Sequence, residues 1–208
     1  MKNQKKIEYL LGGTLFFLVL LSGVSLAQNK GLTGAIFTTD AGGNFVNANV
    51  YNGPDEPYLN GGPRPNAPCT AAGLPNGEYY FQVTDPSGSV RLSTDDIEER
   101  RIRVFAGIII AYLGTTHFTS FGQCGDITVQ LSPFSQTPNP GGEYKVWMTP
   151  VSAYSPGAGS HGFLPKSSKT DNFKVNLNSD SDGDGIPDAE DNCPDIHDPT
   201  NNCGVTDS

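Results

Sequence analysis

Short runs of alternating apolar and polar residues, each bounded by Gly, Pro or Asn, fill the chain from residue 32 to 177. Tyr79, Phe81 and Val83 alternate with Tyr80, Gln82 and Thr84, and Ile127, Val129 and Leu131 alternate with Thr128, Gln130 and Ser132. Tyr144, Val146 and Met148 repeat the scheme, as do Phe173, Val175 and Leu177. A period of two sends successive side chains to opposite faces of a strand, so each run offers one apolar face to a core. Earlier strands are expected over 32–37 and 46–51. Breaks such as Pro75-Asn76-Gly77, Asp85-Pro86-Ser87-Gly88 and Pro138-Asn139-Pro140-Gly141-Gly142 are turn chemistry, because Gly and Asn tolerate positive φ and Pro presets it. Roughly seven to nine strands within residues 28–177 predict an all-β fold, one antiparallel β-sandwich.

One stretch departs from the alternation: 104–113 is nearly all apolar, with Ile108, Ile109 and Ile110 in a row. It is too short to span a bilayer. It reads either as a strand buried on both faces or as two strands around Gly107; a hydrophobic partner surface is the alternative. Upstream, Thr94-Asp95-Asp96-Ile97-Glu98 resembles a helix start and predicts a short helical turn. Arg100, Arg101 and Arg103 follow, next to Asp95, Asp96, Glu98 and Glu99, which together predict a solvated, self-compensating surface.

Composition narrows the class. The 208 residues include 25 Gly and 16 Pro, against roughly 12% for the two together in average proteins, while 36% hydrophobic residues suffice for a core. Collagen, coiled coils and polytopic membrane proteins are excluded. A net charge of −9 argues against nucleic acid as a partner, since phosphate binding needs clustered cations. At the N-terminus Lys2, Lys5 and Lys6 precede an apolar run through Leu15, Phe16, Phe17, Leu18, Val19, Leu20 and Leu21. With Ser25 and Ala27 at the small positions of a cleavage site, residues 1–27 read as a secretory signal peptide. The rival is an uncleaved anchor. Cleavage removes three lysines and Glu8, makes the net charge −11, leaves no stable membrane span and implies a secreted or cell-surface location.

Four cysteines remain: Cys69, Cys124, Cys193 and Cys203. An even count in an exported chain favours two disulfides, with three connectivities open. Proximity in sequence and the composition boundary near residue 178 favour Cys69 with Cys124 and Cys193 with Cys203. A zinc site lacks a CxxC pair, and His117, His161 and His197 show no ligand spacing.

Beyond Lys174 there is no Lys or Arg, and residues 178–208 form an acidic tail that cannot bury a core. Counted from Asp180, carboxylates stand at the first, third, fifth, ninth and twelfth positions (Asp180, Asp182, Asp184, Asp188, Asp191), with Gly185 sixth and Ile186 seventh. This is the oxygen-ligand register of an EF-hand-type Ca²⁺ loop. Calcium takes six to eight hard oxygens; alternate residues of a tight loop supply them, Ile186 through its backbone C=O and Asp191 by returning to close the loop. No amphipathic helices flank it, and the twelfth position is Asp rather than Glu.

The stretch Asp180-Ser-Asp-Gly-Asp-Gly-Ile-Pro-Asp-Ala-Glu-Asp-Asn-Cys-Pro194, followed by Asp198-Pro199, resembles a thrombospondin type 3 repeat. The resemblance implies calcium held by the matching aspartates and Cys193 in a disulfide, and covers residues 180–203. Asp198 stands where the family has Asn, and no second repeat follows. More loosely, Gly34-Ala35-Ile36 leading to Val46-Asn47-Ala48-Asn49-Val50, with 74–81, resembles the prealbumin-like sandwiches of bacterial surface proteins, among them collagen-adhesin B-type modules.

Catalytic motifs are absent from the sequence: there is no P-loop, HExxH or Rossmann fingerprint. Ser160-His161 resembles a nucleophile loop, but Ala158 replaces the first Gly of GxSxG. The reading is therefore not an enzyme but an exported structural or adhesion-type protein with calcium as its cofactor. Its partner class is an extracellular protein or polysaccharide. An alternative is a carbohydrate- or peptide-binding module that stacks ligands on Tyr51, Tyr58, Trp147 and Tyr154; a small hydrolase using His117 or His161 is the third reading.

Overall fold

The computed structural model describes residues 32–46, 50–176, 182–187, 190–193 and 195–202. The signal-peptide reading of 1–27 lies outside them. No described helix is long and apolar enough to cross a membrane. The described elements are nine strands and three short 3₁₀ turns. The strands are β1 (Ala35–Thr39), β2 (Tyr58–Gly62), β3 (Gly77–Thr84), β4 (Arg101–Phe105), β5 (Ile108–Tyr112), β6 (Thr119–Phe121), β7 (Ile127–Gln130), β8 (Glu143–Pro150) and β9 (Lys169–Lys174). They form two antiparallel sheets, ordered β1-β2-β7-β6 and β5-β4-β3-β8-β9. The sheets pack as a sandwich.

The alternating runs do what their period requires. Phe81 and Val83 of β3, Val129 of β7 and Val146 and Met148 of β8 are fully buried in one core with Leu59, Ile102 and Ile109. The opposite faces of β3 and β8 carry Tyr80 and Trp147, which join Phe163 in a second, smaller cluster. The Ile run resolves into two strands, β4 and β5, with Ala106 (φ 51°) and Gly107 (φ 89°) in the left-handed region between them. Two such residues make the tight turn that matches strand twist. Ile109 is buried while Phe105 and Ile110 are exposed, so this hairpin is not buried on both faces.

Three expectations need correction. No strand forms in the described part of 46–51: Tyr51 makes a single parallel bridge to Val175, and Val50 is exposed. Strand β2 is not among the expected strands, because Tyr58-Leu-Asn-Gly-Gly62 carries no period-two alternation. Gly61 and Gly62 are in the strand because of crowding: a Cβ on Gly61 would come within 2.9 Å of Leu74 Cδ1, and one on Gly62 within 3.1 Å of Ile108 Cγ2. Thirdly, Arg100 is not solvated. It is the last residue of the expected helical turn, a 3₁₀ turn at Ile97–Arg100, and its side chain is fully buried. Arg101 and Arg103 do form a compensated surface, pairing with Glu78 and, for Arg101, Glu98.

Arg100 anchors a buried polar knot. Its Nε donates to Asp95 Oδ1 (2.5 Å) and its terminal nitrogen to the carbonyls of Leu131 (3.2 Å) and Pro133 (2.5 Å). Asp95 Oδ2 meets His117 Nε2 at 2.9 Å, and His117 Nδ1 lies 2.8 Å from the Gln130 carbonyl. Burial pushes the Asp95 carboxyl up, but the hydrogen bond from His117 and the charge and hydrogen bond of Arg100 outweigh it and hold it below the usual carboxylate value. Elsewhere the sheets are joined at one edge by Asp171 of β9, whose Oδ2 accepts from Thr38 N (2.9 Å) and Oγ1 (3.3 Å) on β1. The Cys69–Cys124 disulfide forms as expected, linking the β2–β3 and β6–β7 connections across 55 residues.

Candidate metal centre

The tail is shaped by aspartates that turn back on their own backbone. Asp182 Oδ1 accepts from Asp184 N (3.1 Å), Asp184 Oδ1 from Ile186 N (2.8 Å) and Asp191 Oδ1 from Cys193 N (2.8 Å). Each is an i to i+2 Asx turn, the local geometry that Asp adopts most readily. Gly183 (φ 74°) and Gly185 (φ 95°) lie between these aspartates in the left-handed region, where a β-carbon would be strained. The requirement for Gly at the sixth loop position is thus met at Gly185.

These turns bring Asp182, Asp184 and Asp191 together, with one carboxylate oxygen from each lying within 4.8 Å of the others. Asp191, the twelfth position of the register, thus lies beside the third and fifth. Asp191 Oδ2 is buried and accepts no hydrogen bond. A buried carboxylate oxygen without a donor is costly, and three clustered carboxylates repel one another. A hard cation answers both conditions, so the residues present fit Ca²⁺. Asp180 and Asp188 lie outside the described residues, as does Cys203; Ile186 is described through its N–H. Cys193 is buried and disulfide-bonded.

Sequence reasoning missed the part played by Asp198. Its N–H donates to Asp184 Oδ2 (3.0 Å), while its carboxylate turns outward to Thr200 N (3.1 Å) and Asn202 N (3.0 Å). It therefore braces the loop through its backbone, which the departure from Asn leaves intact. His197 Nδ1 approaches the Asp182 carbonyl at 3.2 Å, a second brace with no signal in ligand spacing.

The other candidate residues fall elsewhere. Tyr51 and Trp147 are buried and Tyr58 and Tyr154 half-buried, so the four make no exposed stacking platform. Ser160 Oγ donates to Gly88 O (3.3 Å), whereas His161 accepts from Phe163 N (3.3 Å) and lies against Trp147. Burial pushes the His161 imidazole below its ordinary value. The His117–Asp95 pair meets the distance expected of a catalytic dyad, but its second carboxylate oxygen is taken by Arg100 and its ring is packed between Phe81 and Tyr112.

The described chain is thus a two-sheet antiparallel sandwich followed by an aspartate-rich loop in which Asp182, Asp184 and Asp191 converge. Compared with protein-family models, curated proteins and solved structures, the chain finds no match.

Proposed function

We propose that this chain is an exported, noncatalytic structural or adhesion-type protein whose C-terminal tail is ordered by calcium. The observation that carries the reading is the convergence of Asp182, Asp184 and Asp191 oxygens within 4.8 Å, beside the unpartnered Asp191 Oδ2. Signal-peptide grammar at 1–27 and the Cys69–Cys124 disulfide support export, since disulfides persist in oxidising compartments. In this reading Asp182, Asp184 and Asp191 hold the ion with Asp180, Asp188 and the Ile186 carbonyl, and the ion supplies charge neutralisation that lets the loop stay closed.

A single loop without flanking helices places the affinity toward the extracellular range, about 10⁻⁴ to 10⁻³ M. Mg²⁺ substitutes poorly because it demands near-octahedral geometry and keeps its waters. The test is limited proteolysis of the mature chain in calcium and in chelator, with calorimetric titration alongside. Calcium should protect residues 180–203 in wild type. Asp184→Ala and Gly185→Val should lose that protection while leaving the sandwich intact. Equal cleavage of the wild-type tail in calcium and chelator would overturn the reading.

A further inference from the structure

The outer face of β3 and β8 is covered by part of the connection between β8 and β9. From residues 154–164 of that connection, Phe163 joins Tyr80 and Trp147 in the smaller cluster, and Tyr154 packs edge-on against both Tyr80 and Phe163. His161 lies against the Trp147 ring, 4.7 Å between centroids. This cluster is separate from the core between the sheets, so the segment can lift without opening the sandwich. Covering the face has a cost: Gln82, which pairs with Trp147 across β3 and β8, keeps Oε1 buried without a hydrogen bond.

The segment is built to hold its own shape. Ala158 N donates to Ser155 O (2.9 Å), Gly162 N to Ala158 O (2.9 Å) and Ser155 N to Gly162 O (3.0 Å), with Gly157, Gly159 and Gly162 at positive φ. It is tied to the β3–β4 connection at Gly88, whose carbonyl accepts from Ser160 Oγ (3.3 Å) and partners the His161 ring. Gly88 itself lies flat on Trp147, where an added Cβ would fall 2.8 Å from the indole.

Between Tyr154 and Leu164 the sequence holds no Asp, Glu, Lys or Arg, so His161 is the group whose charge changes near neutral pH. It is buried, and its Nδ1 accepts the Phe163 N–H (3.3 Å), which leaves the neutral ring's proton on Nε2, the nitrogen facing Gly88. A second proton would sit on Nδ1 and meet that N–H, donor against donor, among aromatic rings. Two charged groups face His161 from the elements it packs on. Asp85 of the β3–β4 connection favours the charged ring, although its own oxygens are engaged by Ser87 and Val90; Lys145 of β8, over the Trp147 ring at 5.6 Å, opposes it. Burial is the largest effect and holds the imidazole below its ordinary value. The closed segment therefore binds fewer protons than the released one. Closure is complete above the ordinary value of about 6.5 and weakens as pH falls from there toward the lowered one.

We propose that residues 154–164 form an acid-released lid: a proton on His161 lifts them from the outer face of β3 and β8 and uncovers Tyr80 and Trp147. The lid draws on none of the tail's carboxylates.

Trp147 is the single tryptophan of the chain, so its fluorescence reports on the lid directly. The test follows the emission maximum and acrylamide quenching of the oxidised mature chain from about pH 8 to about pH 5, in calcium and in chelator. Wild type should shift to the red and quench severalfold faster at the acid end, equally in both conditions, while its far-UV circular dichroism stays unchanged. His161→Phe, which keeps a ring against Trp147 without a titrating group, and His161→Gln should show no transition, whereas His197→Gln should retain it. The proposal falls if wild-type quenching is flat across the range, or if intensity changes without any gain in quencher access. It falls equally if far-UV circular dichroism is lost at the same pH, if either His161 variant keeps the transition, or if His197→Gln loses it.

Discussion

Asp95→Asn should destabilise the sandwich far more than its surface-like sequence context implies. The substitution is nearly isosteric but leaves the fully buried Arg100 without its counter-charge. It also leaves one carbonyl oxygen to accept from two donors, Arg100 Nε and His117 Nε2, where the carboxylate offers one oxygen to each. Removing one partner of a buried ion pair costs about 3–5 kcal/mol. At about 2–4 °C per kcal/mol for a domain of this size, the melting temperature should fall by about 6–20 °C at neutral pH. Circular dichroism melts of the oxidised mature chain would measure it. Adding Arg100→Met to Asp95→Asn removes both charges, and a buried pair replaced by apolar groups is often near neutral, so the double variant should recover part of the loss. Because the Asp95 carboxyl lies below its ordinary value when folded, its contribution is complete above the unfolded value near 4 and is lost as pH falls through the folded one. The gap between wild type and Asp95→Asn should therefore narrow in acid. A melting temperature within about 2 °C of wild type at neutral pH, or a double variant less stable than the single, would refute the account.

Asp171→Asn should do the opposite, since burial holds the Asp171 carboxyl above its usual value; the ionised form therefore weakens the fold as pH rises, and the amide keeps an acceptor for Thr38. Its melting temperature should exceed that of wild type at neutral pH, with the advantage gone below about pH 4. Replacing Cys69 and Cys124 together by Ser should cost about 4 kcal/mol by loop entropy across 55 residues, read as the midpoint of denaturant unfolding. Gly73→Ala should destabilise by about 1–3 kcal/mol in the same assay, because its Cβ would lie 2.2 Å from the Gly107 carbonyl that receives the Leu74 N–H. Intact mass of exported protein should correspond to a chain beginning at Gln28; a mass retaining residues 1–27 would overturn the cleavage rule.

What could be read in advance depended on how local each cause was. The strands at Tyr79 to Thr84 and Tyr144 to Met148 announce themselves because period-two burial is written in adjacent residues, and Gly185 because a left-handed φ is a property of one residue. β2 escaped because its two glycines answer to Leu74 and Ile108, partners more than ten residues away that no local window contains. Arg100 escaped likewise: its charge signals solvent, and only the carbonyls of Leu131 and Pro133 and the Asp95 carboxylate, brought together by the fold, make burial tolerable. The tail belongs with the local cases. The ligand register of the tail lies within one short loop, so spacing alone singled out Asp180, Asp182, Asp184, Ile186, Asp188 and Asp191, of which the described residues Asp182, Asp184 and Asp191 cluster.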